Sequence, residues 1–128
     1  METFFIYMKV TMDHVVEIRT LTLKPGKRAE FERLFSEQSH PLLLRWGMDV
    51  VAYGPSLHDE NTFYVIRCFE GLAQHAQMEE AFYGSDDWIH GPREAMLALV
   101  EGYVDAVLEM DEHTVEGLRK SHKDPKKY

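Results

Sequence analysis

The chain has 128 residues, 45% hydrophobic and 28% charged, which suits one soluble globular domain with a single core. Five of its 14 basic residues (Arg119, Lys120, Lys123, Lys126 and Lys127) fall in the last ten positions with only Asp124 opposing them, so the remainder holds a net charge of -12 and repels phosphate backbones, excluding nucleic acid as a general partner. The single cysteine, Cys68, cannot form an intrachain disulfide and points to a reducing, cytoplasmic setting, while no run approaches the ~20 apolar residues of a membrane span.

Residues 1–12 include the apolar run Phe4-Phe5-Ile6-Tyr7-Met8, which is too short for a signal peptide and lacks a basic flank, so they read as an N-terminal extension. From His14 to Leu23 the residues alternate and are rich in Val, Ile and Thr, the signature of a strand. Pro25-Gly26 turns the chain, and Phe31, Leu34, Phe35 and Leu42 then fall at helical spacing, with a break expected near Pro41 and a stop at Gly47. Met48 to Gly54 and Thr62 to Glu70 read as a hairpin around the polar turn His58-Asp59-Glu60-Asn61. A helix is expected from Leu72 to Tyr83, with Ser85 capping a further helical piece that Gly91-Pro92 interrupts. Tyr103 to Met110 reads as the last strand. The domain thus spans 13–110, and 111–128 reads as a polar, basic, frayed tail.

This β-α-β-β-α-β order predicts an α+β, ferredoxin-like subunit, a four-stranded antiparallel sheet with helices on one face. The first strand carries Val16, Ile18, Thr20 and Thr22 on one side, and Val15, Leu21 and Leu23 around Glu17 and Arg19 on the other. The third strand repeats this division, with Tyr64, Ile66 and Cys68 against Phe63, Val65 and Phe69 around Arg67. Two largely apolar faces imply a cover on each, and the helices supply only one, so the second sheet is expected from another copy in a homodimer. Glu17, Arg19 and Arg67, with Asp105 and Glu109 from the last strand, are expected on that dimer-facing side as an ionic cluster. It would fix pairing register or line a polar channel.

Two stretches carry a family resemblance. Val16-Glu17-Ile18-Arg19-Thr20-Leu21-Thr22-Leu23-Lys24-Pro25-Gly26-Lys27 resembles the opening strand and turn of NIPSNAP-domain proteins, and Phe82-Tyr83-Gly84-Ser85-Asp86-Asp87-Trp88 with Gly91-Pro92-Arg93-Glu94-Ala95 resembles the second-half signature of their small bacterial members. The resemblance implies a dimeric α+β barrel, two ferredoxin-like subunits packed sheet to sheet. It carries over no catalytic motif, and the wider superfamily's monooxygenases, haem-degrading enzymes, dehydratases and cyclases license no single chemistry.

The residues themselves offer thin chemistry. None of the seven histidines forms a zinc-motif pair, so no metal site is expected. His75 and Glu79, one helical turn apart, could share a cation, but two ligands are too few, and they read as a surface pair. His40 beside Pro41 is a candidate general base, with Tyr53 as a second candidate catalytic group. Trp46, Tyr53, Tyr64, Trp88 and Tyr103 are candidates to line an apolar pocket, or else simply core, and Arg93 reads as solvated rather than as an anion site. No cofactor is expected; haem enters only by superfamily analogy, and no axial ligand stands out. Three readings follow: a homodimer binding an apolar or aromatic small molecule between helices and sheet, a cofactor-free monooxygenase or related barrel enzyme, and a non-catalytic interaction module.

Overall fold

The computed structural model describes residues 13–123. The proposed extension, residues 1–12, and the end of the basic tail, 124–128, lie outside the described residues. Strand β1 (Asp13–Leu23) runs into the turn at Pro25-Gly26, where Gly26 takes φ +76°. Helix α1 (Arg28–Leu34), a π-helical turn (Phe35–Ser39) and helix α2 (His40–Arg45) follow as one continuous rod, which Gly47 ends at φ +79°. The break expected near Pro41 is therefore a widened turn just ahead of it, with Pro41 seated in the first turn of α2 where its missing N–H costs nothing.

Strands β2 (Asp49–Pro55) and β3 (Thr62–Phe69) form the hairpin. Helix α3 (Leu72–Tyr83) crosses back, α4 (Asp86–Ile89) is capped by Ser85 accepting from the Trp88 N–H, and α5 (Arg93–Leu97) restarts after Pro92. Strand β4 (Val100–Asp111) completes an antiparallel sheet of order β2-β3-β1-β4. This is the α+β ferredoxin-like architecture. None of the described helices is long and apolar enough to cross a membrane.

Register fixes the two faces. Val15, Leu21, Leu23, Phe63, Val65 and Phe69 pack under the helices against Phe31, Leu34, Phe35 and Phe82. Val16, Ile66 and Cys68 point the other way, joined by Val51 and Ala52, which share a face because the β2–β3 register slips between Val50 and Ala52.

The C-terminal segment departs from the expected frayed tail. Glu112–Lys123 is a twelve-residue helix, α6, begun by Asp111, whose carboxylate accepts from the Thr114 N–H at 2.7 Å. Its Val115 is buried among Val16, Val51, Ala52, Ile66 and Cys68. Arg119, read from sequence as a free tail charge, makes a two-pronged pair with Asp49 of β2 at 2.8 and 3.0 Å and also bonds Glu116 at 3.0 Å. The chain thus covers part of its own second face. Along β4, Val104, Ala106 and Leu108 on that face remain exposed, Val104 at 72%.

Candidate site between helix α3 and the sheet

Helix α3 presents His75, Met78, Glu79, Phe82 and Tyr83 to the sheet, a stripe at i, i+3, i+4, i+7 and i+8 in which two ionisable groups replace apolar ones. Beneath it lie Glu17 and Arg67, direct partners in the β1–β3 ladder, and Arg19 and Asp105, direct partners in the β1–β4 ladder. Glu17 and Arg67 are each 1% exposed. The cluster therefore sits on the helix-covered face and not on the dimer-facing side expected from sequence. The residues were correctly grouped on one side of each strand, but with apolar side chains on both sides the alternation does not show which side receives the helices. His75 and Glu79, read as a surface pair, are part of the cluster.

The network is dense. Arg67 donates through Nε to Glu17 Oε2 at 3.0 Å, through Nη2 to both Glu17 and Glu79, and through Nη1 to the Tyr83 hydroxyl at 3.0 Å. Arg19 grips Asp105 with two bonds of 2.8 and 3.0 Å and gives Nη1 to the same Tyr83 hydroxyl at 3.1 Å. His75 Nε2 donates to Glu17 Oε1 at 2.9 Å. Glu109, placed in the cluster from sequence, shares its face but pairs with Val15 further along the strand, and no ion pair among the described residues joins it to the others. Among the described residues no buried side-chain polar atom lacks a hydrogen-bond partner.

Two carboxylates in this confined space titrate apart. Burial pushes Glu79 up, and its hydrogen bond and repulsion with Glu17 outweigh Arg67 and Arg19, leaving it at about 7. Burial also opposes ionisation of Glu17, but hydrogen bonding from Glu79 and the charge and hydrogen bonds of Arg67 and His75 bring it down to about 2. The pair thus holds one proton, carried by Glu79, over a broad acidic range. Glu17, His75 and Glu79 bring donor atoms within 4.8 Å of one another. Both carboxylates already accept from Arg67, however, so the guanidinium fills the place a cation would take.

Against this cluster opens a cavity of about 360 Å³, large enough for a small aromatic molecule. Its apolar walls include Phe31, Phe35, Leu43, Phe82, Trp88 and Met96, the bonded group Arg19, Arg67, Glu79, Tyr83 and Tyr103 gives it a polar end, and Arg93 also lines it. The π-helical turn carries Phe35 and Ser39 to the wall, where the Ser39 hydroxyl donates to the Met96 thioether. Tyr103 stands at the open side, 59% exposed, with the Arg19 guanidinium 4.5 Å from its ring centroid.

Of the five aromatics proposed for the pocket, the structure brings Trp88 and Tyr103 to the wall. Trp46 packs edge-on to Phe82 and donates to Asp87 at 3.0 Å. Tyr53 lies in a core group with Phe35, His40 and Phe63. Tyr64 is on the opposite face of the sheet, edge-on to His122. His40 stacks on Phe35 and meets Tyr53 edge-on, outside the cavity lining, and burial holds its imidazole below the ordinary value. Sequence reasoning set His75 and Glu79 aside as a surface pair and missed Tyr83; the signal was their shared helical stripe with Met78 and Phe82.

A ferredoxin-like subunit with a ligand-sized cavity between helices and sheet defines an α+β small-domain class, and comparison resolves it further. The NIPSNAP family model matches residues 16–112, so the chain belongs to the NIPSNAP family. Among solved structures it is similar to a NIPSNAP family protein from Agrobacterium tumefaciens (16% identity, TM-score 0.69, covering 74% of this chain and 90% of that one) and to an uncharacterized NIPSNAP domain protein from Burkholderia xenovorans (15%, 0.67, 73% and 91%). It is also similar to a putative antibiotic biosynthesis monooxygenase from Bordetella bronchiseptica (22%, 0.58, 77% and 95%). At these identities the likeness establishes the fold alone. No curated protein matches the chain in sequence.

Proposed function

We propose that this protein binds a small molecule with an apolar, aromatic-sized body in the cavity between helices and sheet, its polar end against the charged cluster. The observation that carries the reading is that Phe31, Leu43, Phe82 and Trp88 line the same space as the bonded pair Arg19 and Tyr83 and as Arg93. Purely structural packing would have filled it with side chains. A thermal-shift screen of aromatic compounds against the wild type and Leu43→Trp tests this. Stabilisation of the wild type that the cavity-filling variant loses supports the reading, and equal response of both proteins contradicts it.

A second reading makes the protein a cofactor-free enzyme, and it is favoured by Glu79 alone. A carboxyl group near neutrality on the wall of an apolar cavity is suited to exchange a proton with whatever lies there. His40 and Tyr53 line no part of that cavity and drop out as its acid or base. The monooxygenase name borne by one structural relative falls in this enzyme class. Loss of turnover in Glu79→Gln with retained ligand binding is the expected result, and unchanged turnover contradicts it.

We also propose that two copies pair through the row Val104, Ala106 and Leu108 on the partly uncovered sheet face, giving the homodimer expected from sequence.

A further inference from the structure

We propose that the cavity is selective for apolar carboxylates, whose anionic head is held by the Tyr83 hydroxyl and the Arg93 guanidinium. The inference deepens the binding reading above and rests on it. Two observations point to an anion and a third to its apolar body. The Tyr83 oxygen accepts from Arg19 and from Arg67, both of which can only donate, so the phenolic hydrogen is left to donate to something else, and Tyr83 lies on the cavity wall. Arg93 also lines the cavity and has no ion pair to any described residue, whereas the other two guanidinia there are committed to Glu17 and Asp105. The cavity's remaining surface is largely apolar, fitting a ring or branched chain attached to the head group.

Charge balance says what must accompany binding. The cavity is lined by Arg19 from β1, Arg67 from β3, Glu79 and Tyr83 from α3, Arg93 from α5 and Tyr103 from β4, and behind them Glu17 of β1 bonds Arg67 and His75 of α3 while Asp105 of β4 bonds Arg19. With Arg67 matched to Glu17 and Arg19 to Asp105, Arg93 is one positive charge in excess when Glu79 is neutral. A ligand carboxylate then closes the balance. If Glu79 is ionised the ligand meets a like charge across the cavity. Binding therefore draws Glu79 toward its acid form, taking up a proton as the pH rises past about 7.

Isothermal titration of the full-length protein with 2-naphthoate and its uncharged isostere 2-naphthamide, at pH 6 and pH 8, tests this. The carboxylate is ionised throughout, so any pH effect belongs to the protein. The expected result is a carboxylate bound roughly tenfold or more tightly than the amide at pH 6, losing about tenfold by pH 8. Arg93 is exposed and has no ion pair among the described residues, so Arg93→Gln should fold normally and bring the two ligands to similar affinity. Glu79→Gln should bind 2-naphthoate with little pH dependence. His75→Gln should keep the pH dependence, which separates the carboxyl from the imidazole. Tyr83→Phe, which removes only the hydroxyl, should weaken the carboxylate more than the amide. Amide bound as tightly as carboxylate, or a carboxylate affinity independent of pH in the wild type, overturns the proposal while leaving the cavity reading intact. Failure of both naphthyl ligands, together with no response in the wider aromatic screen, overturns the cavity reading itself.

Discussion

Glu17 and Arg67 stand directly opposite each other in the β1–β3 ladder and form an ion pair sealed under helix α3, both 1% exposed. The pair does more than join two strands. Arg67 passes the contact to Glu79 and Tyr83 of α3, and Glu17 passes it to His75, so one polar contact in the sheet fixes where the helix lies and shapes the charged end of the cavity.

Removing one partner should be costly. Arg67→Met leaves Glu17 a buried carboxylate without its main counter-charge and should destabilise the fold by about 3–5 kcal/mol. Glu17→Met combined with Arg67→Met removes both charges and should recover most of that loss. Urea unfolding of the two variants checks this, and a single-variant loss under about 1 kcal/mol would contradict the buried pair.

Stability should depend on pH in two limbs. Glu17 has a folded pKa of about 2, below its ordinary 4.5, so its contribution is present above 4.5 and is lost as pH falls toward 2. Glu79 has a folded pKa of about 7, above its ordinary 4.5, so the folded state holds the extra proton between those values and stability falls as pH rises through the window, by about 3 kcal/mol for an isolated group. These two groups together place the maximum near pH 4.5. Glu79→Gln should flatten the upper limb, and denaturation midpoints from pH 4 to 8 measure it. An upper limb unchanged in that variant would assign it to another group.

Helix α6 should protect Cys68. The thiol is 8% exposed, beneath Val115, and burial pushes its pKa up to about 11. Val115→Asp should loosen the helix, cost roughly 2–4 kcal/mol and raise the rate of thiol labelling. An unchanged labelling rate would mean that α6 does not control access to that face.

The exposed β4 row should mediate self-association. Val104→Asp places a charge among Val104, Ala106 and Leu108, at a position already 72% exposed, so the fold should survive. In sedimentation at micromolar concentration the wild type should run as a dimer and the variant as a monomer. A monomeric wild type removes the dimer proposal.

The sequence carried β1 by its Val, Ile and Thr content running into the turn at Pro25-Gly26, and α3 by its bounds, since Leu72 to Tyr83 lies between Gly71 and Gly84. It could not say which side of β1 faces the helices, because Val15, Leu21 and Leu23 are as apolar as Val16 and Ile18. That ambiguity put Glu17, Arg19 and Arg67 on the wrong face. Helix α6 was hidden by its polarity, although Asp111 three residues before Thr114, and Val115 three before Leu118, were its cap and its apolar stripe. The π-helical turn at Phe35–Ser39 leaves no residue signature, yet it helps build the cavity wall. Glu79 and His75 were visible as residues but not as buried ones, since burial of a charged stripe depends on Arg67 of the preceding strand and on Glu17 of β1, 58 residues from His75.

The measurement that bears most directly on the cavity is methyl NMR of the full-length, methyl-labelled protein titrated with 2-naphthoate. Leu43, Val65, Met96 and Val100 report from the cavity wall, while Val104 and Leu108 report from the exposed row on the other face of the sheet. The account predicts saturable shifts confined to the first set. Shifts confined to the second set, or none at millimolar ligand, would contradict it.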